Sequence, residues 1–352
     1  MNLQEILEEA VRRKASDILL IPGLPAAYKI EGVICREGEP LLPPQLTPMV
    51  EDLYCLANRG IDCLEQTGDD DFSFSIRSLS RFRVNAFRQR GSFGTVIRVV
   101  SFALPDRAAL GIPDQVMAFG EYSRGLVVVT GSAGSGKTTT LACIVDAINT
   151  QRSLHIITIE DPIEYLHHHK KSVVTQRELS TDTQSYEVAL RSALREAPDV
   201  ILVGEMRDPE TIKAAVTAAE TGHLVISTLH TLGASNTIGR IVDSFPPEQQ
   251  YQIRTQLALV LEGVVSQQLV PTVDGKLVPA FEVMSVTPAV RNMIRESKAY
   301  QIDNVIATSG ELGMMTMDQS LLHLVRSGRV RAEDALRRSI NSDWMQKRLA
   351  AL

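Results

Sequence analysis

The chain has 352 residues, 44% apolar and 22% charged, more than one hydrophobic core usually holds, so its composition predicts two globular domains and excludes disorder, collagen and coiled coil. Thirty-six basic against 42 acidic side chains leave a formal charge of -6, which gives no support to a surface that coats nucleic acid and leaves room only for a local basic channel. The longest apolar runs, such as Leu126–Val129 and Val200–Val203, fall far short of the ~20 residues that span a bilayer.

The first residues, Met1 to Ile6, carry acids where a signal peptide carries a basic stretch, an expectation of cytoplasmic residence. Cysteines at 35, 55, 63 and 143 form no C-x-x-C pair, so buried thiols are expected rather than zinc or disulfides. Asn2 followed by Glu5 has capping-box form, with Leu3, Ile6, Leu7, Ala10 and Val11 at helical spacing, which predicts a helix over about 2–14. Short β-type segments follow near 17–21 and 27–35, then a helix near 46–58 and strands at 72–76, 81–88 and 94–100. This is a small α+β domain over 1–104, followed by a Pro- and Gly-containing linker over 105–114.

Beyond the linker the pattern changes. Leu126–Thr130, His155–Ile159, Val200–Val203 and Leu224–Ser227 are continuous apolar runs, as parallel strands buried on both faces require, with helical stretches between them. The fold class is therefore α/β, a P-loop core over 115–284 with the smaller N-terminal domain before it and a helical region over 285–352.

Gly131, Ser132, Ala133, Gly134, Ser135, Gly136, Lys137 and Thr138 fit G-x-x-x-x-G-K-S/T directly after an apolar strand and at the start of a helix. In that context the glycines turn backbone N–H groups onto phosphate oxygens, Lys137 reaches the β- and γ-phosphates, and Thr138 is placed to ligate Mg²⁺. Asp199–Glu205 is a buried strand ending in a carboxylate, and Glu205 is the first choice for the acid beside the metal. Glu160, Asp161 and Glu164 lie just past another core strand, at the edge where open α/β sheets bind ligands; spacing alone does not choose between Glu160 and Glu164 as the group that handles the attacking water. Thr228 and His230 end a further strand and can sense the γ-phosphate, with a purely structural histidine weighing about evenly. His167, His168 and His169 superficially suggest a metal tract, yet a solvated turn is the better expectation. In the first domain Arg81 and Arg83 share one strand face opposite Phe82 and Val84; such a face is usually solvated but can offer guanidinium groups to phosphate, with Arg98 a weaker candidate.

The segments GSAGSGKTT, ITIEDPIEY, ALREAPDVILVGEMRDPET and AAETGHLVISTLHT, and the later AVRNMIRE, stand in the order of the boxes of a known family, so the chain resembles the retraction ATPases of type IV pili within the wider secretion-ATPase superfamily. That resemblance implies a RecA-like core, a PAS-like N-terminal domain and a homohexameric ring binding ATP and Mg²⁺, with Thr139, Glu160 and His223 joining the P-loop in the nucleotide site. It implies Glu164 as the catalytic carboxylate, Glu205 as the Walker B acid, His223 and His230 as His-box positions, and Arg81, Arg83 and Arg98 as phosphate-reaching arginines. It further implies an inner-membrane pilus platform protein as partner, with membrane association only through that partner at the inner face of the membrane. Ser132 and Ala133 stand where Pro and Thr are typical, Thr138 where Ser is commoner, and Ser227 where Gly is common. The rivals are pilus-assembly or type II secretion ATPases, a RecA-like nucleic-acid translocase, disfavoured by the acidic balance, and a non-hydrolysing nucleotide-binding ring.

Overall fold

In the computed structural model the first helix, α1 (Leu3–Arg12), begins with the expected capping box: the Glu5 N–H donates to Asn2 at 2.9 Å and the Asn2 N–H donates to Glu5 at 3.0 Å. The structure describes residues 2–30, 32–77, 79–100, 104 and 106–352. The chain divides into two units, Met1–Ala103 with Glu164–Leu166, and Leu104–Ile163 with His167–Leu352. Residue 105, where the linker is expected to begin, and residues 101–103 at the end of the expected first domain lie outside the described residues.

In the first unit α1 is followed by β1 (Asp17–Leu20), β2 (Ala26–Ile30), β3 (Val33–Glu37), α2 (Pro43–Leu56), α3 (Asp62–Thr67), β4 (Asp69–Ile76), β5 (Ser80–Gln89) and β6 (Ser92–Val100). The strands form one antiparallel sheet in the order β3-β2-β1-β6-β5-β4. The single segment expected over 27–35 is instead the β2–β3 hairpin, because Gly32, at φ 84°, reverses the chain there. Ile6, Leu7, Leu46, Val50 and Leu53 of the helices close over Ile18, Phe82, Val84 and Ile97 of the sheet.

The second unit runs α4 (Arg107–Leu110), α5 (Asp114–Met117), β7 (Gly125–Thr130), α6 (Lys137–Gln151), β8 (His155–Glu160), β9 (Val173–Glu178), α7 (Tyr186–Ala193), β10 (Val200–Val203), α8 (Pro209–Glu220) and β11 (Leu224–Leu229). It continues with α9 (Ala234–Asp243), α10 (Pro247–Val260), β12 (Leu261–Pro271), β13 (Leu277–Ser285), α11 (Pro288–Arg295), α12 (Ile302–Thr308), α13 (Met317–Arg326), α14 (Ala332–Arg338) and α15 (Ser342–Leu349). Its seven strands are ordered β13-β12-β7-β11-β10-β8-β9, all neighbours parallel except the antiparallel edge pair β12–β13. Alternate residues of each central strand enter different cores. Leu126, Val128, Ile201 and Val203 face α7, α8, α9 and α10, while Val127, Val129, Val200 and Leu202 face α6. Burial on both sides is why these strands read as unbroken apolar runs.

β12 carries a bulge between Leu261 and Gly263, and Gly263 is obligatory there: a Cβ would lie 2.0 Å from the Phe119 ring. The far end of the β12–β13 hairpin, with Val270, Val278 and Ala280, joins Met317, Leu321 and Met345 in a separate core under the last helices. Among the described residues no helix is long and apolar enough to cross a membrane. The expectation of buried thiols holds only for Cys143, whose pKa burial pushes up to about 11; Cys55 and Cys63 are exposed.

Candidate functional site

The site is built at the carboxyl edge of the parallel sheet. β7 lies between β11 and β12, and where it ends the chain must turn sharply into α6. Gly131 does this at φ 147° under the carbonyl of Gln267, which a Cβ would approach to 2.3 Å; Gly134 and Gly136 follow at φ 73° and 87°. The loop therefore owes its path to the absence of side chains at those positions. Lys137, buried on the first turn of α6, folds back so that its ammonium donates to the carbonyls of Gly131 at 2.9 Å and Ser132 at 3.0 Å. The Ser135 hydroxyl is buried with no hydrogen-bond partner among the described residues. An inward-curled loop with an ammonium and an unused hydroxyl donor fits a phosphate group. Thr138 and Glu205 offer a hydroxyl and a carboxylate, the hard-oxygen donor set that suits Mg²⁺.

Glu205 follows β10 at the same edge. One oxygen accepts from Arg207 at 2.8 Å and the other lies 3.2 Å from Nε2 of His230, which follows β11. The Thr228 hydroxyl donates to the Gly204 carbonyl at 2.6 Å and its own carbonyl accepts from Met206, so it fixes the strand end that carries Glu205. A cavity of about 380 Å³ opens beside this group, lined by Glu205, Arg207, His230, Thr231 and Arg240.

Glu160 ends β8 and is buried beside Gly204, whose Cβ would come within 3.3 Å of the Glu160 Cα. Thr158 donates to its carboxylate at 2.6 Å and Gln176 at 3.2 Å, two partners that sequence spacing did not suggest. Glu164 is exposed and falls with Met1–Ala103 in the division of the chain. His223 lies elsewhere in the chain. It precedes β11 at the opposite edge, where its carbonyl accepts from Gly125 at the start of β7, and its ring nitrogen Nδ1 lies 2.9 Å from the Ala218 carbonyl. Within one chain it is a whole strand length from the P-loop.

The 167–169 tract is also not simply a solvated turn. Burial holds His167 well below its usual range, at about 4, and His169 accepts the Val174 N–H through Nδ1 at 3.1 Å, so it fastens the start of β9. No metal-holding cluster of His, Cys, Asp or Glu exists among the described residues.

In the first unit Arg83 and Arg98 stand directly opposite each other on β5 and β6, with Asp17 next in the row on β1. Arg98 pairs with Asp17 at 3.0 Å, and Arg81 donates to Ser73 at 2.8 Å.

A family model described as type II/IV secretion system protein matches residues 1–304. The chain belongs to the type II/IV secretion system protein family. Among curated members of that family, it is 44% identical over 95% of its length, and 97% of the other, to the type IV pilus retraction ATPase PilT of Pseudomonas aeruginosa. It is 50% identical to a twitching motility protein of Neisseria gonorrhoeae, over 80% of this chain and 75% of that one. A crystal structure of the pilus retraction motor PilT with bound ADP superposes with a TM-score of 0.91 at 44% identity, covering 99% of each chain. The α/β fold with a RecA-like P-loop core is thus the fold of this family.

Proposed function

We propose that the chain is an ATP-hydrolysing motor subunit that drives retraction of type IV pili, working as a homohexamer on an inner-membrane platform protein at the cytoplasmic face of the membrane. The observation that carries this reading is the P-loop at the end of β7 set beside the Glu205–His230 pair, in a chain 44% identical over 95% of its length to a pilus retraction ATPase. The chain is organised as an N-terminal domain over 1–104, a linker over 105–114, the ATPase core over 115–284 and a helical output region over 285–352.

Phosphate transfer to water asks the protein for positioning and charge neutralisation more than for covalent chemistry. Backbone N–H groups of 131–139 cradle the phosphates, and Lys137 exchanges its two carbonyl acceptors for phosphate oxygens. Thr138 and Glu205 would hold Mg²⁺, Glu205 partly through water; the ion supplies neutralisation of phosphate charge. Glu164 acts as the carboxylate that orients the attacking water, Glu160 keeps that edge acidic, and His230, linked to Glu205, reports occupancy to the loop before α9. Arg81, Arg83 and Arg98 supply guanidinium charge. The retraction direction is carried by similarity to retraction ATPases alone.

The test is hydrolysis of ATP by the purified chain with and without Mg²⁺, alongside light scattering. Mg-dependent phosphate release should fall by about 1,000-fold or more in Lys137→Ala and by about 100-fold in Glu205→Gln. A monomer under all conditions, or Lys137→Ala turning over like wild type, refutes the motor.

A further inference from the structure

Beside the P-loop, on the neighbouring strand, lies a residue that no motif of the family boxes includes. Gln267 is 2% exposed in the middle of β12. Ser266 pairs with Thr130 across β12 and β7, so Gln267 comes level with Gly131, where the P-loop begins. Its carbonyl is the atom that a Cβ on Gly131 would meet at 2.3 Å, and its amide nitrogen Nε2 is the atom that a Cβ on Gly136 would meet at 2.8 Å. Its Oε1 accepts from the Thr140 hydroxyl at 2.7 Å, one turn into α6. A single buried residue thus touches the first glycine of the loop, its last glycine and the helix that the loop feeds.

From these contacts we infer that Gln267 is a positioning residue for nucleotide phosphate: it braces both ends of the P-loop and so sets how well the loop's N–H groups and Lys137 meet the phosphates. The inference rests on the nucleotide reading above and adds to it. Both glycines lack a side chain where Gln267 stands, so neither end of the loop can move toward β12 without striking it. An amide of this shape also meets two demands at once. Its oxygen satisfies Thr140, and its nitrogen turns the positive end of a dipole toward the segment that receives anions. A hydrophobic side chain of equal length keeps the steric half of this arrangement and removes the polar half.

Its neighbour has a separate task. Ser266 points to the other face, where its hydroxyl accepts the Gly233 N–H at 3.0 Å, and Glu282, directly across on β13, accepts the Ala234 N–H at 2.8 Å. These two secure the start of α9, four residues after His230. β12 therefore supports the P-loop on one face and the loop after β11 on the other.

The experiment is ADP binding by calorimetry to the full chain, with thermal melting of the nucleotide-free protein. Gln267→Met should raise the ADP Kd about tenfold, and Gln267→Glu, which keeps the acceptor for Thr140 but brings negative charge to Gly136, about a hundredfold. Nucleotide-free melting temperatures should stay within about 3 °C of wild type, a split that a residue needed only for packing would not give. Thr140→Val removes the same hydrogen bond from the helix side; it should raise Kd about fivefold and add little on top of Gln267→Met. If the Gln267 variants do not fold, Thr140→Val alone decides, and its binding ADP like wild type overturns the inference. Wild type that binds ADP together with folded variants that bind within twofold of it overturns the brace alone. Wild type that fails to bind ADP at millimolar concentration overturns the nucleotide reading and the brace with it.

Discussion

The two units use β-sheet in opposite ways. In the first, every strand pairs antiparallel and charged residues line up across the strands, as Arg83, Arg98 and Asp17 do. In the second, the central strands are parallel and buried on both faces, and polar chemistry is confined to the edge where Lys137, Glu160, Glu205 and His230 emerge. The difference teaches where each sheet can hold reactive groups. An antiparallel sheet with one face open carries charges along its length, each already paired or solvated, whereas a doubly covered parallel sheet has only its carboxyl edge to offer and concentrates its functional residues there.

Three substitutions probe this contrast, from strong to weak. Gly263→Ala forces a Cβ into the Phe119 ring in the doubly covered sheet, so it should destabilise by about 3 kcal/mol; calorimetry should show the heat-absorption peak of the second unit moving down while that of the first stays. An unchanged peak for the second unit would mean that its interior yields as readily as an open face. His167→Leu addresses a pH effect. Burial lowers His167 from 6.5 to about 4, so between those values the unfolded chain binds a proton that the folded one refuses, and stability falls as pH drops through that window. The unfolding free energy of wild type from urea titration should decline from pH 6.5 to 4 by up to about 2 kcal/mol more than that of His167→Leu; parallel curves would refute a neutral buried imidazole. Arg98→Ala removes a pair whose arginine is 65% exposed, and should cost no more than about 0.5 kcal/mol by denaturant titration. A cost of several kcal/mol would show that the open sheet is also built around interior charge.

The same contrast explains what the sequence could tell. The four apolar runs and the glycine pattern were legible because burial on two faces and close backbone approach leave few residue types to choose from. β9 escaped notice because an edge strand, Val173–Glu178, mixes Thr, Gln, Arg and Glu with its valines. β12 and β13 were missed for a related reason: Ser266, Gln267, Gln268 and Glu282 interrupt the apolar signal at the positions where the strands serve the loops around them. The P-loop, Glu205 and His230 could be found from local pattern. The partners that hold them could not, since Thr140 meets Gln267 across most of the core sequence and Glu160 meets Gln176 only after the chain has left the sheet and returned. The position of His223 was hidden for a simpler reason: a strand six residues long, Leu224–Leu229, has two ends, and only the later one meets the P-loop of the same chain.

The bulge at the start of β12 has a further consequence for how this chain can vary. Side chains alternate along a strand, so a one-residue change of phase exchanges the two faces for everything downstream. Leu261 pairs with Leu126 and Gly263 with Val127, which makes Glu262 the supernumerary residue that sets the phase of the strand. Taking Glu262 into the ladder opposite Val127 would turn Gln267 toward α9 and Ser266 toward α6, so the loop support and the helix cap would trade places with no residue between them altered, whereas deleting Glu262 would keep both faces as they are. The bulge is thus a heritable variable in its own right, and what must be kept is the pairing of Gly263 with Val127 rather than the length of the segment that leads to it.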